Sequence, residues 1–323
     1  MVDSFVPVAS TTRCGIDESL HFGAVVALDR DGSVAFSAGD PTLVIYPRSS
    51  NKPLQAVAMV RAGLLLAPRL LAVVCASHDG TPMHMQAAQD ILANAGLPES
   101  ALQNTPDLPL DRTSAEATLR AGGGPTRLQM NCSGKHSGML ACCSIGGWPI
   151  ETYLESGHAL QLTINDEFPS MTGEDVGPVG IDGCGAPAHT MSLLALATAF
   201  RRIAIGDAGV AGEQVYDAMT TFPEMVGGQH RDVTLLMRYV PGLLAKDGAE
   251  GVFAAALPDG RSVALKIADG SNRSRPTVML AALRALGVDV SVVAPLLREQ
   301  ILGHGRHVGE VSCIADFVVC GDG

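Results

Sequence analysis

The stretch FGAVVALDRDGSVAFSAGD, residues 22–40, indicates how the chain folds. It is rich in valine and phenylalanine, which favour strands that pack on a core. Its two halves are separated by RDGS, and the pair Asp31 and Gly32 is typical of the tight turn that joins two antiparallel strands. The stretch therefore predicts a buried β-hairpin with its turn at Asp31 and Gly32.

A second stretch, GVFAAALPDGRSVALKIADG at residues 251–270, predicts another hairpin, with its turn at Asp259 and Gly260. Helical patterns lie between and after the two hairpins, at residues 54–66, 81–97, 137–144, 150–165, 190–204, 212–221, 277–286 and 292–302. This order predicts an α+β fold in which helices flank an antiparallel sheet. Because the chain contains no fixed-period repeat and no long linker, we expect a single domain over residues 1–323.

The composition excludes several classes of partner. The 323 residues include 22 Lys+Arg and 33 Asp+Glu, for a net charge of −11, and the chain has no basic run. This balance argues against nucleic acid or an anionic membrane as the partner. The longest apolar region, residues 58–76, is interrupted by Arg61, Pro68 and Arg69, so it predicts no membrane span. We expect a small-molecule enzyme.

The compartment is predicted from the first residues and from the cysteines. MVDSFVPVASTTR lacks the basic and apolar regions of a signal peptide, which predicts a cytoplasmic protein. In a reducing compartment, cysteines are more often buried apolar residues, metal ligands or reactive thiols than disulfides. Six of the eight are expected to be structural, namely Cys14, Cys75, Cys142, Cys143, Cys313 and Cys320.

A polar cluster, YPRSSNKPLQ at residues 46–55, follows the first hairpin. Pro53 is tolerated in the first turn of a helix, so Ser49 and Lys52 are predicted to share a face at a helix N-terminus. A lysine whose pKa is lowered can take the proton of a serine hydroxyl and make it a nucleophile. The alternative is a capping serine beside a surface lysine.

Four further clusters contain residues suited to chemistry. CASHDG, residues 75–80, gathers serine, histidine and aspartate, although a solvated loop has the same composition. NCSGKHSGML, residues 131–140, fails as a phosphate loop because Gln129 stands where that motif needs glycine. GIDGCGAP, residues 180–187, presents Cys184 on a glycine-rich turn. In LKIADGSNR, residues 265–273, Lys266 lies on a predicted strand and either faces solvent or meets a partner in a site.

Together these clusters resemble the asparaginase family typified by the inducible, heat-labile rhizobial enzyme, which is distinct from the threonine-dependent asparaginases. Seven motifs in the same order carry the resemblance: ESLHFG (18–23), YPRSSNKPLQ, CASHDG, NCSGKHSGML, GIDGCGAP, FPEMVGG (222–228) and LKIADGSNR. The resemblance implies hydrolysis of L-asparagine to L-aspartate and ammonia. It also implies a fold similar to serine β-lactamases and glutaminases, and a homodimer.

The resemblance also implies the site residues. The two serine and lysine pairs of the family correspond to Ser49 with Lys52 and Ser77 with Lys266. Ser49 would attack the amide carbon, and the second pair would relay protons. Four further residues lie inside the matching motifs and are expected to bind substrate, namely Arg48, Asn131, His136 and Asp269.

The resemblance further implies a zinc ion held by Cys132, Lys135 and Cys184, which leaves one coordination position open. Serine and lysine chemistry needs no Lewis acid, so we expect this zinc to position substrate or to regulate the enzyme. One alternative is an acyl-transfer hydrolase of the β-lactamase type, although K-T-G and S-D-N triplets are absent from the sequence. Another is a protein that binds an amino acid or zinc without catalysis.

Overall fold

The computed structural model describes residues 2–317, and Cys320 lies outside this range. Its largest sheet has eight antiparallel strands. Seven follow one another in the order β11, β12, β1, β2, β10, β9, β8, and β3 pairs with β2. Their bounds are β1 Val6–Arg13, β2 Ile16–Leu28, β3 Val34–Ala38, β8 Leu244–Gly248, β9 Val252–Ala256, β10 Ser262–Ile267, β11 Gln300–Gly303 and β12 Arg306–Cys313.

Both predicted hairpins are confirmed. β2 and β3 are joined by a turn in which Gly32 has a φ of 89° and donates its N–H to the carbonyl of Asp29. β9 and β10 are joined by a turn in which Gly260 has a φ of 97°. A side chain at either position would be strained in this left-handed conformation, which explains why glycine follows aspartate in both turns.

The remaining strands form two small antiparallel pairs. β4 (Val44–Ile45) pairs with β7 (Met191–Ser192), and β5 (Gly180–Ile181) pairs with β6 (Pro187–Ala188). The second pair closes the GIDGCGAP segment into a hairpin. Cys184 therefore lies at the turn of a short ribbon.

Eleven helices occur in residues 2–317: α1 Lys52–Arg61, α2 Pro68–Val74, α3 Pro82–Asn94, α4 Arg112–Arg120, α5 Ser133–Gly146, α6 Ala159–Thr172, α7 Leu193–Ala204, α8 Gly209–Thr221, α9 Pro223–Val226, α10 Asp232–Tyr239 and α11 Arg275–Ala285. α7 packs on β2, β9 and β10, whereas α11 packs on β10 and β12. α1, α2, α3, α5, α6 and α8 pack on one another. The predicted α+β class, an antiparallel sheet with flanking helices, is confirmed.

One predicted helix is wrong, and another begins later than predicted. Residues 292–302 form turns that lead into β11, and Pro295 in this segment lacks the N–H that a helix interior needs. Residues 150–158 form turns instead of the start of a helix. The helix begins only at Ala159, where the His158 side chain accepts the N–H of Leu160 at 3.1 Å and caps it.

The cysteines expected to be structural divide into three groups. Cys75, Cys142 and Cys143 are buried, as expected of structural residues. Cys14 is exposed and Cys313 is half-buried, so the expectation of burial is wrong for Cys14. Within residues 2–317, no helix is both long enough and apolar enough to cross a membrane.

Candidate active site

Ser49 lies in a 3-10 turn, Arg48–Asn51, that continues directly into α1. Arg48 has a φ of 52°, a conformation that side chains other than glycine adopt rarely and that is concentrated at functional sites. The turn lies against β8, because Ser50 Oγ donates to the carbonyl of Lys246 at 3.1 Å. Gly248 permits this approach, since a Cβ there would lie 2.5 Å from the carbonyl oxygen of Pro47.

Lys52 is buried at the start of α1. Its Nζ donates to three acceptors: the carbonyl of Ala76, Ser77 Oγ at 3.2 Å and Cys132 Sγ at 3.2 Å. These contacts join three of the motifs that the sequence analysis identified. Lys52 therefore occupies the centre of the site.

Ser77 is 4% exposed and follows α2 after a short loop. Its N–H donates to the carbonyl of Val226 at 3.1 Å, which fixes its backbone on the FPEMVGG segment. The neighbouring His78 is also buried; its Nδ1 accepts the N–H of Gly80, so Nε2 carries the proton and donates to Ser133 Oγ at 2.9 Å. This loop is therefore fixed to both α5 and the segment before α10.

The second lysine at Ser77 is Lys246, on β8. Its Nζ lies 3.1 Å from Ser77 Oγ, and it is 0% exposed. The same Nζ donates to the Asp247 carboxylate at 2.6 Å and to the Asp247 carbonyl at 2.7 Å. Burial lowers the pKa of Lys246 to about 8, although the Asp247 carboxylate acts in the other direction and raises this pKa. Lys246 can therefore gain and lose a proton near neutral pH, as a proton relay requires.

The expected pairing of Ser77 with Lys266 is wrong. Lys266 lies on β10, and its Nζ donates to the carbonyls of Glu250 and Ile267, both at 2.6 Å. β10 and β8 lie on either side of β9, so the lysines of these two strands reach different parts of the molecule. The structure places Lys246 where the sequence analysis expected Lys266.

The three expected zinc ligands are close together. Cys132 precedes α5, Lys135 lies in its first turn, and Lys135 Nζ is 3.2 Å from Cys184 Sγ. The contact between the two thiols lowers the pKa of Cys184 and raises that of Cys132. Burial lowers the pKa of Lys135, but the sulfur atoms of Cys184 and Cys132 outweigh this effect and raise it.

These residues fit a zinc ion by the chemistry of their donor atoms. The two thiols are ligands that zinc prefers, and the lysine amine, once deprotonated, would supply a third donor atom. The ring of the buried His136 lies beside Cys184 and is not one of these three ligands. Within residues 2–317 there is no group of three His, Cys, Asp or Glu side chains suited to a metal, so a metal here would need the lysine.

His136 is fixed by Tyr153, whose hydroxyl lies 2.8 Å from Nδ1. The same hydroxyl accepts the N–H of Gln103 at 3.2 Å, so its own proton is directed to Nδ1. Burial lowers the pKa of His136 to about 4, and the ring is therefore neutral at pH 7.

Two other expected substrate ligands border the site. Asn131 Oδ1 lies 3.1 Å from Cys132 Sγ, and the Asn131 carbonyl accepts the N–H of His78. Arg48 forms an ion pair with Asp182, with Nη2 2.7 Å from Oδ1. Because Asp182 lies two residues before Cys184, this pair connects the serine turn to the ribbon that carries the thiol.

Asp269 is not part of this assembly. It is exposed in the turn after β10, where its carboxylate accepts the N–H of Ser271 at 2.9 Å. The expectation that it binds substrate therefore has no support from its position. Its charge acts on Lys266 instead.

Three residues of this assembly, Lys246, Asp247 and Asp182, were not predicted from the sequence. One signal was available for the first: the chain has only four lysines, Lys52, Lys135, Lys246 and Lys266. A lysine followed by aspartate in the apolar segment LLAKDG needs a partner once it is buried. For Asp182, its place inside the GIDGCGAP motif was the available signal.

Comparisons with known proteins agree with the sequence motifs. The model of the family described as L-asparaginase II matches residues 9–313. No curated protein matches the chain.

Several solved structures match at low identity. Mglu in its tris and glutamate form is 13% identical, with a TM-score of 0.38; the match covers 81% of this chain but only 58% of Mglu. A β-lactamase from Mycobacterium bovis is 14% identical, with a TM-score of 0.36 and coverage of 82% and 94%. EstCE1, a hydrolase with promiscuous acyltransferase activity, is 12% identical, with a TM-score of 0.43 and coverage of 81% and 93%.

Proposed function

Because the chain belongs to the L-asparaginase II family, whose members are hydrolases of amides, we propose that it converts L-asparagine and water to L-aspartate and ammonia. The observation that carries the proposal is the position of the Ser77 hydroxyl between the amines of Lys52 and Lys246. This buried arrangement lies next to the turn that holds Ser49. The buried arrangement supplies groups that transfer protons, and the adjacent turn supplies the nucleophile.

Ser49 is the nucleophile in this proposal. It is half-buried, whereas Ser77 is almost completely buried and its backbone is fixed, so Ser49 is the more accessible of the two to a substrate. Ser49 Oγ forms a bond to the amide carbon as its proton passes to Lys52. The C–N bond then breaks, a proton passes to the leaving nitrogen, and ammonia departs from an ester on Ser49.

Water completes the reaction. It attacks the ester carbon, gives up a proton to the lysine system, and releases L-aspartate as the Ser49 hydroxyl is restored. Ser77 and Lys246 relay protons to and from Lys52 across the contacts of 3.2 and 3.1 Å. The pKa of Lys246, about 8, suits a group that must exchange protons at neutral pH.

An amino-acid substrate is supported by the charges at the edge of the site. L-Asparagine carries an α-carboxylate and an α-ammonium group, which match the guanidinium of Arg48 and the carboxylate of Asp182. Asn131 and His136 lie close to the thiols and offer polar atoms for the rest of the substrate. We therefore include Arg48, Asn131, His136 and Asp182 among the substrate-binding residues.

Zinc is part of the proposal as a ligand of Cys132, Lys135 and Cys184. When bound, it would supply positive charge that holds substrate beside Ser49. Cys184→Ser is expected to lower the zinc content measured by inductively coupled plasma mass spectrometry, with Cys143→Ser, a change at a buried cysteine outside the set, as the control. Equal zinc content in Cys184→Ser and wild type would contradict this site.

We also propose that the protein is a cytoplasmic homodimer. Support for the compartment comes from the cysteines, because all seven in residues 2–317 are free. The dimer rests on family resemblance, and light scattering after gel filtration tests it. A mass of one chain would contradict it.

Ammonia release from L-asparagine, measured beside L-glutamine, tests the function. We expect release from asparagine by wild type and loss of at least about 10³-fold in kcat for Ser49→Ala, since removal of a catalytic nucleophile has effects of this order or larger. A covalent adduct trapped during turnover should map to Ser49 by mass spectrometry. No release from asparagine would contradict the substrate, and an adduct on Ser77 would contradict the nucleophile.

A further inference from the structure

Arg231 lies between the two parts of the site that meet at Ser77. Its Nη1 is 3.4 Å from Asp79 Oδ1, and Asp79 is two residues after Ser77. Its Nη2 donates to Asp247 Oδ2, and Asp247 is the residue after Lys246. A single guanidinium therefore connects the loop that carries Ser77 to the strand that carries Lys246.

The backbone brings these groups together. Arg231 occupies the N-cap position of α10, shortly after the FPEMVGG segment. In that segment Gly228 passes so close to Asp79 that a Cβ would lie 1.8 Å from Oδ2. The Asp79 carboxylate is thus confined beside Arg231, and none of these groups is required by the substrate steps described above.

The Asp247 carboxylate is shared between competing cations. Oδ1 lies 2.6 Å from Lys246 Nζ, whereas Oδ2 contacts Arg231 and lies 3.7 Å from Arg275 Nη2. A carboxylate that faced Lys246 alone would stabilise the ammonium form and keep the proton on the lysine. Arg231 reduces this effect by binding the other oxygen, and its own positive charge also disfavours a second cation nearby.

We propose that Arg231 is a positioning residue that keeps Lys246 able to release its proton to Ser77, by holding Asp247 and by fixing the Ser77 loop through Asp79. The inference rests on the proposed function for its catalytic consequence. Its effect on the lysine itself does not depend on which amide the enzyme hydrolyses.

The charged groups around Lys246 come from several elements. Asp247 is on the same strand, Lys52 approaches from α1 through Ser77, Arg231 precedes α10, and Arg275 begins α11. Asp247 raises the pKa of Lys246, whereas Lys52 and Arg231 lower it. Loss of Arg231 removes one positive charge that lowers the pKa of Lys246. It also leaves more of the negative charge of Asp247 to act on Lys246. Both changes raise the pKa of Lys246.

The experiment is a pH titration of Lys246 by NMR in protein labelled with ¹³C at the lysine Cε. The four lysines of the chain give a spectrum simple enough to assign with one lysine-to-arginine variant each. In wild type, the Lys246 midpoint is expected near pH 8. In Arg231→Gln it should rise by about one unit or more, since one nearby charge shifts a pKa by about 1–3 units.

Two further variants complete the test. Arg231→Lys keeps a cation on a side chain with a single charged nitrogen, so its midpoint should lie between those of wild type and Arg231→Gln. Arg238→Gln, at a more exposed arginine of α10, is the matched control and should leave the midpoint unchanged. If Arg231→Gln does not fold, Arg231→Lys decides the question alone.

Activity adds a second measurement. The rise of kcat/KM with pH should move upward in Arg231→Gln by the same amount as the Lys246 midpoint. A Lys246 midpoint that stays at its wild-type value in both Arg231 variants would overturn the inference, even if asparagine is hydrolysed. Failure of wild type to hydrolyse asparagine would overturn the proposed function instead, and the NMR midpoints would still decide the role of Arg231.

Discussion

The Ser77 side chain lies between two buried lysines. Its hydroxyl contacts both Lys52 and Lys246, and each lysine also has other acceptors: Ala76 and Cys132 for the first, Asp247 for the second. The lysines are therefore held in place without the serine. What the serine adds is a path for a proton between them.

Replacement of Ser77 tests this role at the level of one residue. Ser77→Ala removes the shared oxygen, so we predict a fall in kcat of about 10² to 10⁴, the range for loss of positioned proton transfer. The folded structure should persist, because the lysines keep their other acceptors. The matched control is Ser137→Ala in α5, where the buried hydroxyl has no partner among residues 2–317. Wild-type kcat in Ser77→Ala would contradict the relay.

Asp247 is expected to affect the pH dependence of kcat/KM through the pKa of Lys246. Its carboxylate favours the ammonium form of Lys246, so Asp247→Asn should lower the pKa of Lys246 from about 8. If the relay needs the neutral amine, the rise of kcat/KM with pH then shifts to lower pH. A pH profile measured over the neutral and alkaline range shows the shift. A profile displaced to higher pH would mean that Asp247 does not act on Lys246 in this way.

At the scale of elements, the FPEMVGG segment positions the catalytic loop. Val226 accepts the N–H of Ser77, and Gly228 lies against Asp79. The segment includes α9, which packs on α2, α8 and α10. Its glycines are needed for contact, since a Cβ at position 228 would overlap the Asp79 carboxylate.

Gly228→Ala is therefore expected to be disruptive. Gly228 has a φ of 138°, and an L-residue there would lose at least about 1 kcal/mol from backbone strain alone, before the clash with Asp79 is counted. We predict a lower Tm and lower kcat. Gly124→Ala, at a glycine without positive φ and with no atom within 4 Å of the built Cβ, should match wild type in both measurements. Equal Tm for the two variants would contradict this account.

Some elements of this fold can be predicted from the sequence, and others cannot. The two hairpin turns depend on Asp31 with Gly32 and Asp259 with Gly260, and such turn chemistry is local. The helix predicted at residues 292–302 is wrong, and a short apolar run of this kind fits either a helix or a strand. Only the end of this segment, residues 300–302, joins β11, which pairs with β12, and a partner strand leaves no mark on the propensity of the segment itself.

At the scale of the whole molecule, the site is assembled from parts that are far apart in sequence. Ser77 and Lys246 are separated by 169 positions, and Arg48 and Asp182 by 134. Resemblance to a family identified the motifs that contain Lys52, Ser77, Cys132, Lys135 and Cys184, and the structure brings these residues into one region. Chain topology decides which lysine reaches Ser77. Because β9 lies between β10 and β8, Lys246 and Lys266 cannot exchange roles.

Lys246, and not Lys266, is the second lysine of the proposed catalytic arrangement. Ammonia release from L-asparagine should be compared in wild type, Lys246→Met and Lys266→Met, with folding checked by Tm. We expect Lys246→Met to lower kcat by about 10² to 10⁴, whereas Lys266→Met should stay within about threefold of wild type. Loss of activity in Lys266→Met, with Lys246→Met active, would contradict this assignment.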